Sequence, residues 1–257
     1  MNKPVVFSDL DDTLFQTRRK MVDKLAQEPF RTGALDPSMN PRSFMTEEQS
    51  MLVDWLIEHA DFIPVTARGT DEIARVTIPY RSWAITTHGA VILTPEGTPD
   101  EKWKKHMQAT LSAYREPLLT LQRYITSLMA EKGIQGWARI NYEYGDTPVY
   151  LVMKHTDNTQ LAELYAFGKE LETLYPTSGF YIHRNSNNIA WLPVPVEKGL
   201  ATQYLLDKLR AERGVFPVMG LGDSLSDHSF MKLCHWFGLP RQSQFAEHIN
   251  RHVFGEQ

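Results

Sequence analysis

The sequence predicts an α/β protein: a Rossmann-like, doubly wound parallel sheet into which a smaller α+β domain is inserted. Two short apolar runs near the N-terminus, residues 5–7 and 62–65, stop abruptly at polar residues, and a third, residues 216–221, does so near the C-terminus. Runs this short and this apolar read as strands buried on both faces, as in a central parallel sheet. The chain between them reads as helix, two strands, helix, two strands, the pattern of a small antiparallel sheet with helices on one face. At 257 residues the chain exceeds the usual size of one domain. A core formed by residues 1–94 and 189–257 and an inserted domain over residues 95–188 are therefore expected.

Taken in order, the first strand leads directly into Ser8-Asp9-Leu10-Asp11-Asp12-Thr13. Ligands bind at that carboxyl edge in open α/β sheets. Side chains two apart on extended chain point the same way, so Asp9 and Asp11 converge on one small object while Leu10 turns into the core. Two carboxylates so close repel unless a cation lies between them or one keeps its proton. Residues 16–41 carry Pro29, Gly33, Pro37 and Pro41 without a sustained period, and read as a mostly irregular excursion with a short helix near residues 20–27. Long loops inside compact domains are usually functional or disordered. This one is expected to narrow the substrate entrance, with Arg18, Arg19 and Arg31 available to an anionic or polyol substrate. Thr46-Glu47-Glu48-Gln49 is a capping box, after which Met51, Leu52, Trp55 and Leu56 recur at helical spacing. The second strand ends in Thr66-Ala67-Arg68, a hydroxyl and a cation at the ligand edge. A helix over residues 70–76 and strands over 82–87 and 90–93 follow, before Pro95, Gly97 and Pro99 mark a boundary.

In the insert, Trp103, Met107, Leu111, Tyr114, Leu118, Leu121, Ile125 and Leu128 keep a spacing of three and four, a helical stripe that Pro117 kinks or divides. Residues 137–144 and 148–154 form a hairpin around Gly145-Asp146. Asp157-Asn158-Thr159-Gln160 caps a helix to about residue 174, and residues 180–183 and 189–192 make a second hairpin. Alternation in the first hairpin sets Ala138, Ile140 and Tyr142 on one face and Trp137, Arg139, Asn141 and Glu143 on the other. Arg139 is thereby a candidate substrate contact, the alternative being a solvated strand face. Asn188, with His183, Arg184 and Asn187, is another, although residues 184–188 are also ordinary turn chemistry. The core then resumes with a helix opening at Lys198, a strand, and a second acidic strand end, Gly222-Asp223-Ser224-Leu225-Ser226-Asp227.

Composition narrows the function. A net charge of −4 carries no basic excess, which argues against a nucleic-acid surface. Cys234 is the single cysteine, so there is neither an internal disulfide nor a thiolate metal cluster, and a cytoplasmic location fits. No apolar run approaches the length of a spanning helix, and neither a signal peptide nor a membrane anchor is expected. Gathered at one sheet edge would be Asp9, Asp11, Asp223 and Asp227 with Thr66 and Lys198. Oxygen ligands alone select a hard cation, and Mg²⁺ is the natural one where phosphate supplies part of the shell. An aspartate can attack phosphorus only once the substrate's charge is neutralised, which a metal, a lysine and a hydroxyl accomplish.

Four motifs, Asp9-Leu10-Asp11-Asp12-Thr13, Pro64-Val65-Thr66-Ala67-Arg68, Lys198 and Gly222-Asp223-Ser224-Leu225-Ser226-Asp227, occur in the order they take in the haloacid dehalogenase superfamily, which this sequence resembles. The insert lies where that superfamily places its class II caps, and its αββαββ pattern is similar to the subtype B cap of Cof-type, sucrose-phosphate, trehalose-phosphate and mannosyl-phosphoglycerate phosphatases. The resemblance implies that Asp9 is the nucleophile, that Asp11 is the general acid and base, and that Thr66 and Lys198 hold the phosphoryl group. It also implies Mg²⁺ held by Asp9, the Asp11 carbonyl and Asp223, with Asp227 in its first or second shell. Arg68 joins Arg139 and Asn188 as a candidate substrate contact. Two departures stand out, because many relatives have glycine in place of Asp12 and asparagine in place of Ser226. The expected activity is a Mg²⁺-dependent phosphomonoesterase acting on a small phosphorylated metabolite, as a monomer or homodimer. A phosphomutase and a non-catalytic phosphometabolite sensor are the rival readings.

Overall fold

The computed structural model describes residues 3–175, 178–184 and 187–255. The chain divides into two compact units, Met1–Asp100 with Glu197–Gln257, and Glu101–Val196.

The first unit opens with β1 (Val5–Ser8), all four residues of which are buried. Residues 16–41, expected to be mostly irregular, instead contribute to β2 (Gln16–Thr17), helix α1 (Arg18–Lys20), a π-helical turn (Met21–Leu25), β3 (Arg31–Leu35) and the start of β4 (Pro41–Met45). The strands pair antiparallel in the order β2-β4-β3, a small flap sheet. Local chemistry builds it. Thr17 accepts from Lys20 N to start α1, and Asp36 Oδ1 accepts from the N–H groups of Ser38 and Asn40 to close the β3–β4 turn. The prolines that suggested disorder sit outside the ladder or at its ends, where a missing N–H is harmless.

Helix α2 (Glu47–His59) starts at the expected capping box, but it buries Ser50, Val53 and Leu56. Met51 and Trp55, expected on its inner stripe, are exposed. Strand β5 (Asp61–Pro64) and the single turn α3 (Thr70–Ile73) precede the hairpin β6 (Ala84–Thr86) and β7 (Val91–Leu93).

In the second unit, α4 (Glu101–Leu111) passes through a 3₁₀ turn into α5 (Arg115–Lys132). Pro117 thus falls in the first turn of α5, where its missing N–H breaks nothing, and it divides the stripe rather than kinking it. Then come β8 (Gly136–Glu143), β9 (Thr147–His155), α6 (Leu161–Leu174), β10 (Phe180–Arg184) and β11 (Ile189–Pro193), the sheet running β10-β11-β9-β8. Leu118, Leu121 and Ile125 of α5 and Leu164, Phe167 and Leu171 of α6 pack on Ile140, Leu151, Met153 and Trp191. A register shift at Asn141/Tyr142 turns Tyr142 outward, against the expected alternation. Helix α6 begins beyond Asp157, whose carboxylate instead closes a turn by accepting from Thr159. Asn187 reaches across to the His155 backbone, accepting from its N–H and donating to its carbonyl, while Asn185 and Ser186 of the expected turn lie outside the described residues.

The unit runs to Val196 rather than 188 because β11 is hydrogen-bonded between β10 and β9. It starts at Glu101 rather than 95 because residues 94–100 fold back on β7 through the bonds Thr94 N–Thr98 O and Asp100 N–Ile92 O.

The chain returns to the first unit through α7 (Lys198–Arg213), β12 (Val218–Leu221), α8 (His228–Met231), β13 (Trp236–Gly238) and α9 (Gln244–Ile249). The parallel sheet has the order β13-β12-β1-β5, with Ser8 level with Leu221 on one side and Pro64 on the other. Three chain segments, each leaving a strand at the same edge, are thereby brought together.

Thr87–Gly89 ties a fourth segment to them. Its φ values of 51°, 56° and 97° are all left-handed, and it presents N–H groups to the carbonyls of Arg68 and Thr66. A Cβ on Gly89 would stand 2.5 Å from the Glu197 carbonyl oxygen, just before Lys198. Gly89→Ala combines a disfavoured φ with a backbone collision. It should destabilise the protein by about 2 kcal/mol or more, read as a drop of several degrees in thermal midpoint.

Candidate active site

The site lies wholly in the first unit, at the carboxyl edge of the parallel sheet. Asp9 continues β1, its N–H donating to Leu221 O of β12 at 2.8 Å. Thr66 follows β5 after Val65, whose N–H donates to Ser8 O at 2.7 Å. Lys198 is the first residue of α7, whose N-cap Glu197 accepts from the N–H groups of Gly199 and Leu200. Asp223 follows β12, and Asp227 closes the 3₁₀ turn after it. Gly222 permits that turn: an added Cβ would lie 2.6 Å from Asp227 Cβ.

Lys198 Nζ donates to Asp9 Oδ1 at 2.7 Å and to Asp227 Oδ1 at 2.6 Å, and it lies 5.8 Å from the Phe230 ring centre. The other Asp227 oxygen accepts from the N–H groups of Asp223 and Ser224 and from Ser224 Oγ. Thr13 Oγ1 sits 3.3 Å from both Asp9 Oδ2 and Asp223 Oδ1. Asp11 faces the other way: Arg68 Nε and Nη2 donate to its two oxygens at 2.7 Å each. The guanidinium also stacks 5.1 Å from the Phe15 ring centre.

Burial lifts the Asp9 carboxyl well above the usual range, and the charges of Asp227 and Asp223 add to that against the pull of Lys198. Burial, then Asp227 and Asp12, push Asp223 up to about 7. Burial works against the Lys198 ammonium, but Asp227 and Asp9 outweigh it and hold the lysine charged above its ordinary value. The same ammonium, with Ser224, overcomes burial at Asp227 and keeps that carboxyl low.

Of the residues expected at the site, Asp9, Lys198, Asp223 and Asp227 come into one cluster, and Thr66, two residues past β5, is fully buried with its Oγ1 accepting from the Arg68 N–H. Arg68 is engaged by Asp11. Arg18 pairs with Glu28, and Arg31 with Ser50 and Asp54. Arg139 and Asn188 belong to the second unit. Arg139 is exposed and braced 5.4 Å from the Trp137 ring centre. Asn188 Oδ1 is buried without a hydrogen bond among the described residues. Sequence reasoning gave no separate role to Ser224 or to Lys20, which pairs with Asp12, and left His88 and Gly89 as a connection between strands.

No protein-family model matches the sequence, and no curated protein matches it. Solved structures do. The C-terminal domain of Candida albicans trehalose-6-phosphate phosphatase aligns with TM-score 0.55 at 16% identity, covering 90% of this chain and 73% of its own. A Thermoplasma acidophilum protein aligns with TM-score 0.53 at 10% identity, over 95% of this chain and 87% of its own. A haloacid dehalogenase-like hydrolase from Bacteroides thetaiotaomicron gives TM-score 0.48 at 11% identity, over 97% and 99%. The chain therefore shares its fold with the first two of these, a Rossmann-like parallel sheet with an inserted α+β unit. The fold is shared with trehalose-6-phosphate phosphatase over nearly the whole chain.

Asp9, Asp223 and Asp227 each offer an oxygen, all within 4.8 Å of one another. Three carboxylates against the one ammonium of Lys198 leave two negative charges, which a divalent cation would balance. Oxygen donors of this kind suit Mg²⁺. Asp227 is the most committed of the three, one oxygen taking the Lys198 ammonium and the other three N–H and O–H donors, whereas Asp9 Oδ2 and Asp223 Oδ1 meet only the Thr13 hydroxyl at 3.3 Å, so the donor set most open to a cation is Asp9 with Asp223.

Between about pH 4 and 7 the folded, cation-free protein keeps a proton on Asp223 that the unfolded chain, with the ordinary value of 3.8, has released. Its stability should therefore fall as pH rises through that window. Saturating Mg²⁺ should replace the proton and raise the thermal midpoint more at pH 7.5 than at pH 5.5. A Mg²⁺ effect equal at both pH values would remove Asp223 from the binding set.

Proposed function

We propose that the protein is a Mg²⁺-dependent phosphomonoesterase acting on a sugar phosphate or similar small phosphometabolite through a phosphoryl group carried on Asp9. The observation that carries the reading is Lys198, held in a nearly closed site between Asp9 and Asp227 beside Asp223. A structural ion pair needs one carboxylate, whereas a site that must accept phosphate and a cation needs this surplus. The shared fold with trehalose-6-phosphate phosphatase supports the sugar phosphate class.

On this reading the Asp9 carboxylate attacks phosphorus as the ester P–O bond breaks. Lys198 and the buried Thr66 hold the transferring oxygens. Asp11, whose side chain is 47% exposed while Arg68 is 15% exposed, can reach solvent and leaving group alike. Once substrate binding frees one of its oxygens from Arg68 to carry a proton, it gives that proton to the departing alcohol and then takes one from the water that releases inorganic phosphate from Asp9. Arg68 acts through Asp11, fixing its orientation by two parallel hydrogen bonds. Asp9, the Asp11 carbonyl and Asp223 are the groups that would hold Mg²⁺, which would supply the remaining neutralisation of phosphate charge. Asp227 holds Lys198 and the 223–224 loop in place. Arg139 and Asn188 are the proposed contacts of the second unit to the sugar. The protein works in the cytoplasm, consistent with its lone, half-buried cysteine.

Asp9→Asn should abolish phosphate release, because an amide forms no acyl phosphate. Multiple turnovers by that variant, free of parent protein, would sink the nucleophile assignment. Asp11→Asn should slow release from a sugar phosphate by roughly 10²–10⁴, and by far less from an aryl phosphate whose leaving group needs no proton. Equal losses on both substrates, measured as initial rates, would show that Asp11 is not the acid.

A further inference from the structure

One residue beyond Asp11 stands a second ion pair. Asp12 has φ of 64°, a left-handed conformation that residues other than glycine adopt rarely. The turn itself asks for no side chain, since the Asp12 N–H donates to Phe15 O at 2.8 Å as a glycine would. What aspartate adds is a carboxylate, and this one is paired with Lys20 Nζ. The two side chains are only 25% and 23% exposed, so water screens the pair less than one on an open surface. Lys20 belongs to α1, at the start of the flap, which Thr17 begins by capping. The flap's other anchor lies at Gln16, whose side-chain amide bonds Phe44 O and Gln49, while Gln49 in turn bonds Thr13 O. The Asp12 charge is also felt inside the site, where it helps to lift Asp223.

We propose that Lys20 is a positioning residue of the active site: by neutralising Asp12 it seats α1 on the catalytic loop and removes a repulsive charge from beside the phosphate position. The inference rests on the phosphatase reading for the identity of the anion. With α1 lifted, Asp12 stands bare next to Asp11 and near Asp223, and a phosphate dianion is repelled. With α1 seated, that charge is cancelled and Arg68 cancels its neighbour on Asp11. Flap seating and anion affinity are thus two faces of one equilibrium, and each must bias the other.

The test uses the full chain with saturating Mg²⁺ and compares Lys20→Met, Lys20→Arg and the double variant Asp12→Gly/Lys20→Met. Hydrogen exchange over residues 17–25 reads the seat without turnover. Lys20→Met should speed it about tenfold, the effect of losing one modest interaction, and Lys20→Arg should not. Unchanged exchange in Lys20→Met overturns the seat. Calorimetric binding of inorganic phosphate reads the charge. Lys20→Met should weaken it about tenfold, with recovery in Lys20→Arg and in the double variant, where no bare carboxylate remains. A double variant as weak as Lys20→Met overturns the charge-matching role, since a merely structural loss would not be repaired by deleting Asp12. A parent protein that binds phosphate but releases none from any monoester would sink the phosphatase reading and leave the Lys20 result standing. One that binds no phosphate overturns both.

Discussion

Lys198 stands between two carboxylates in a place nearly closed to water, and three distant stretches of chain meet because of it. Its ammonium joins the end of β1 through Asp9 to the loop after β12 through Asp227, while its own backbone opens α7. A buried ammonium without partners is costly, and removing one member of such a group typically costs about 3–5 kcal/mol by stranding the rest. The neighbouring elements supply what this arrangement needs. Glu197 caps the helix, Ser224 and two backbone N–H groups complete Asp227, and Gly222 lets the loop close tightly enough for Asp227 to reach back. The parallel register of β1 with β12 sets all of this within hydrogen-bond length.

The same edge carries a second, differently built half. Asp11 is held by Arg68, which rests on Phe15, and the carbonyls of Thr66 and Arg68 are in turn held by N–H groups of the Thr87–Gly89 turn. Three successive left-handed residues are a strained way to make a turn. Strain of this kind persists where surrounding structure over-determines it, and here it brackets the start of α7 from one side and the Thr66-Ala67-Arg68 segment from the other. The bracketed Thr66 is fully buried. Asp11, by contrast, keeps nearly half of its side chain in solvent.

Much of the fold was legible in the sequence because its signals are local and strong. Residues 5–7 and 62–65 are apolar on both faces, Thr46 and Gln49 make a capping box, and the apolar stripe from Trp103 to Leu128 keeps helical spacing. The flap was not legible, because the turn that builds it depends on one carboxylate, Asp36, and on strands too short to alternate visibly. Tyr142 was misplaced by a bulge, which shifts register by one residue and leaves no mark in composition. At the site, the grouping of Asp9, Lys198, Asp223 and Asp227 follows from strand ends sharing an edge. Side-chain partnership across the site does not follow from that. Arg68 was open to a substrate on sequence grounds, and its engagement with Asp11 depends on how the segment after β5 curls over Phe15.

Charge divides the site in a way that bears on what it takes. Around Asp9, three carboxylates face one ammonium, a surplus that suits a divalent cation. Around Asp11, each carboxylate has its own cation, Asp11 with Arg68 and Asp12 with Lys20. Coulomb forces across such paired groups nearly cancel at a distance, so this half offers no net attraction to a second anionic group and no net repulsion to a neutral one. It does offer oriented donors and acceptors at its surface, which suit hydroxyls. On the proposed reading, a leaving group that is an uncharged polyol meets both conditions, which is the electrostatic ground for preferring a sugar phosphate.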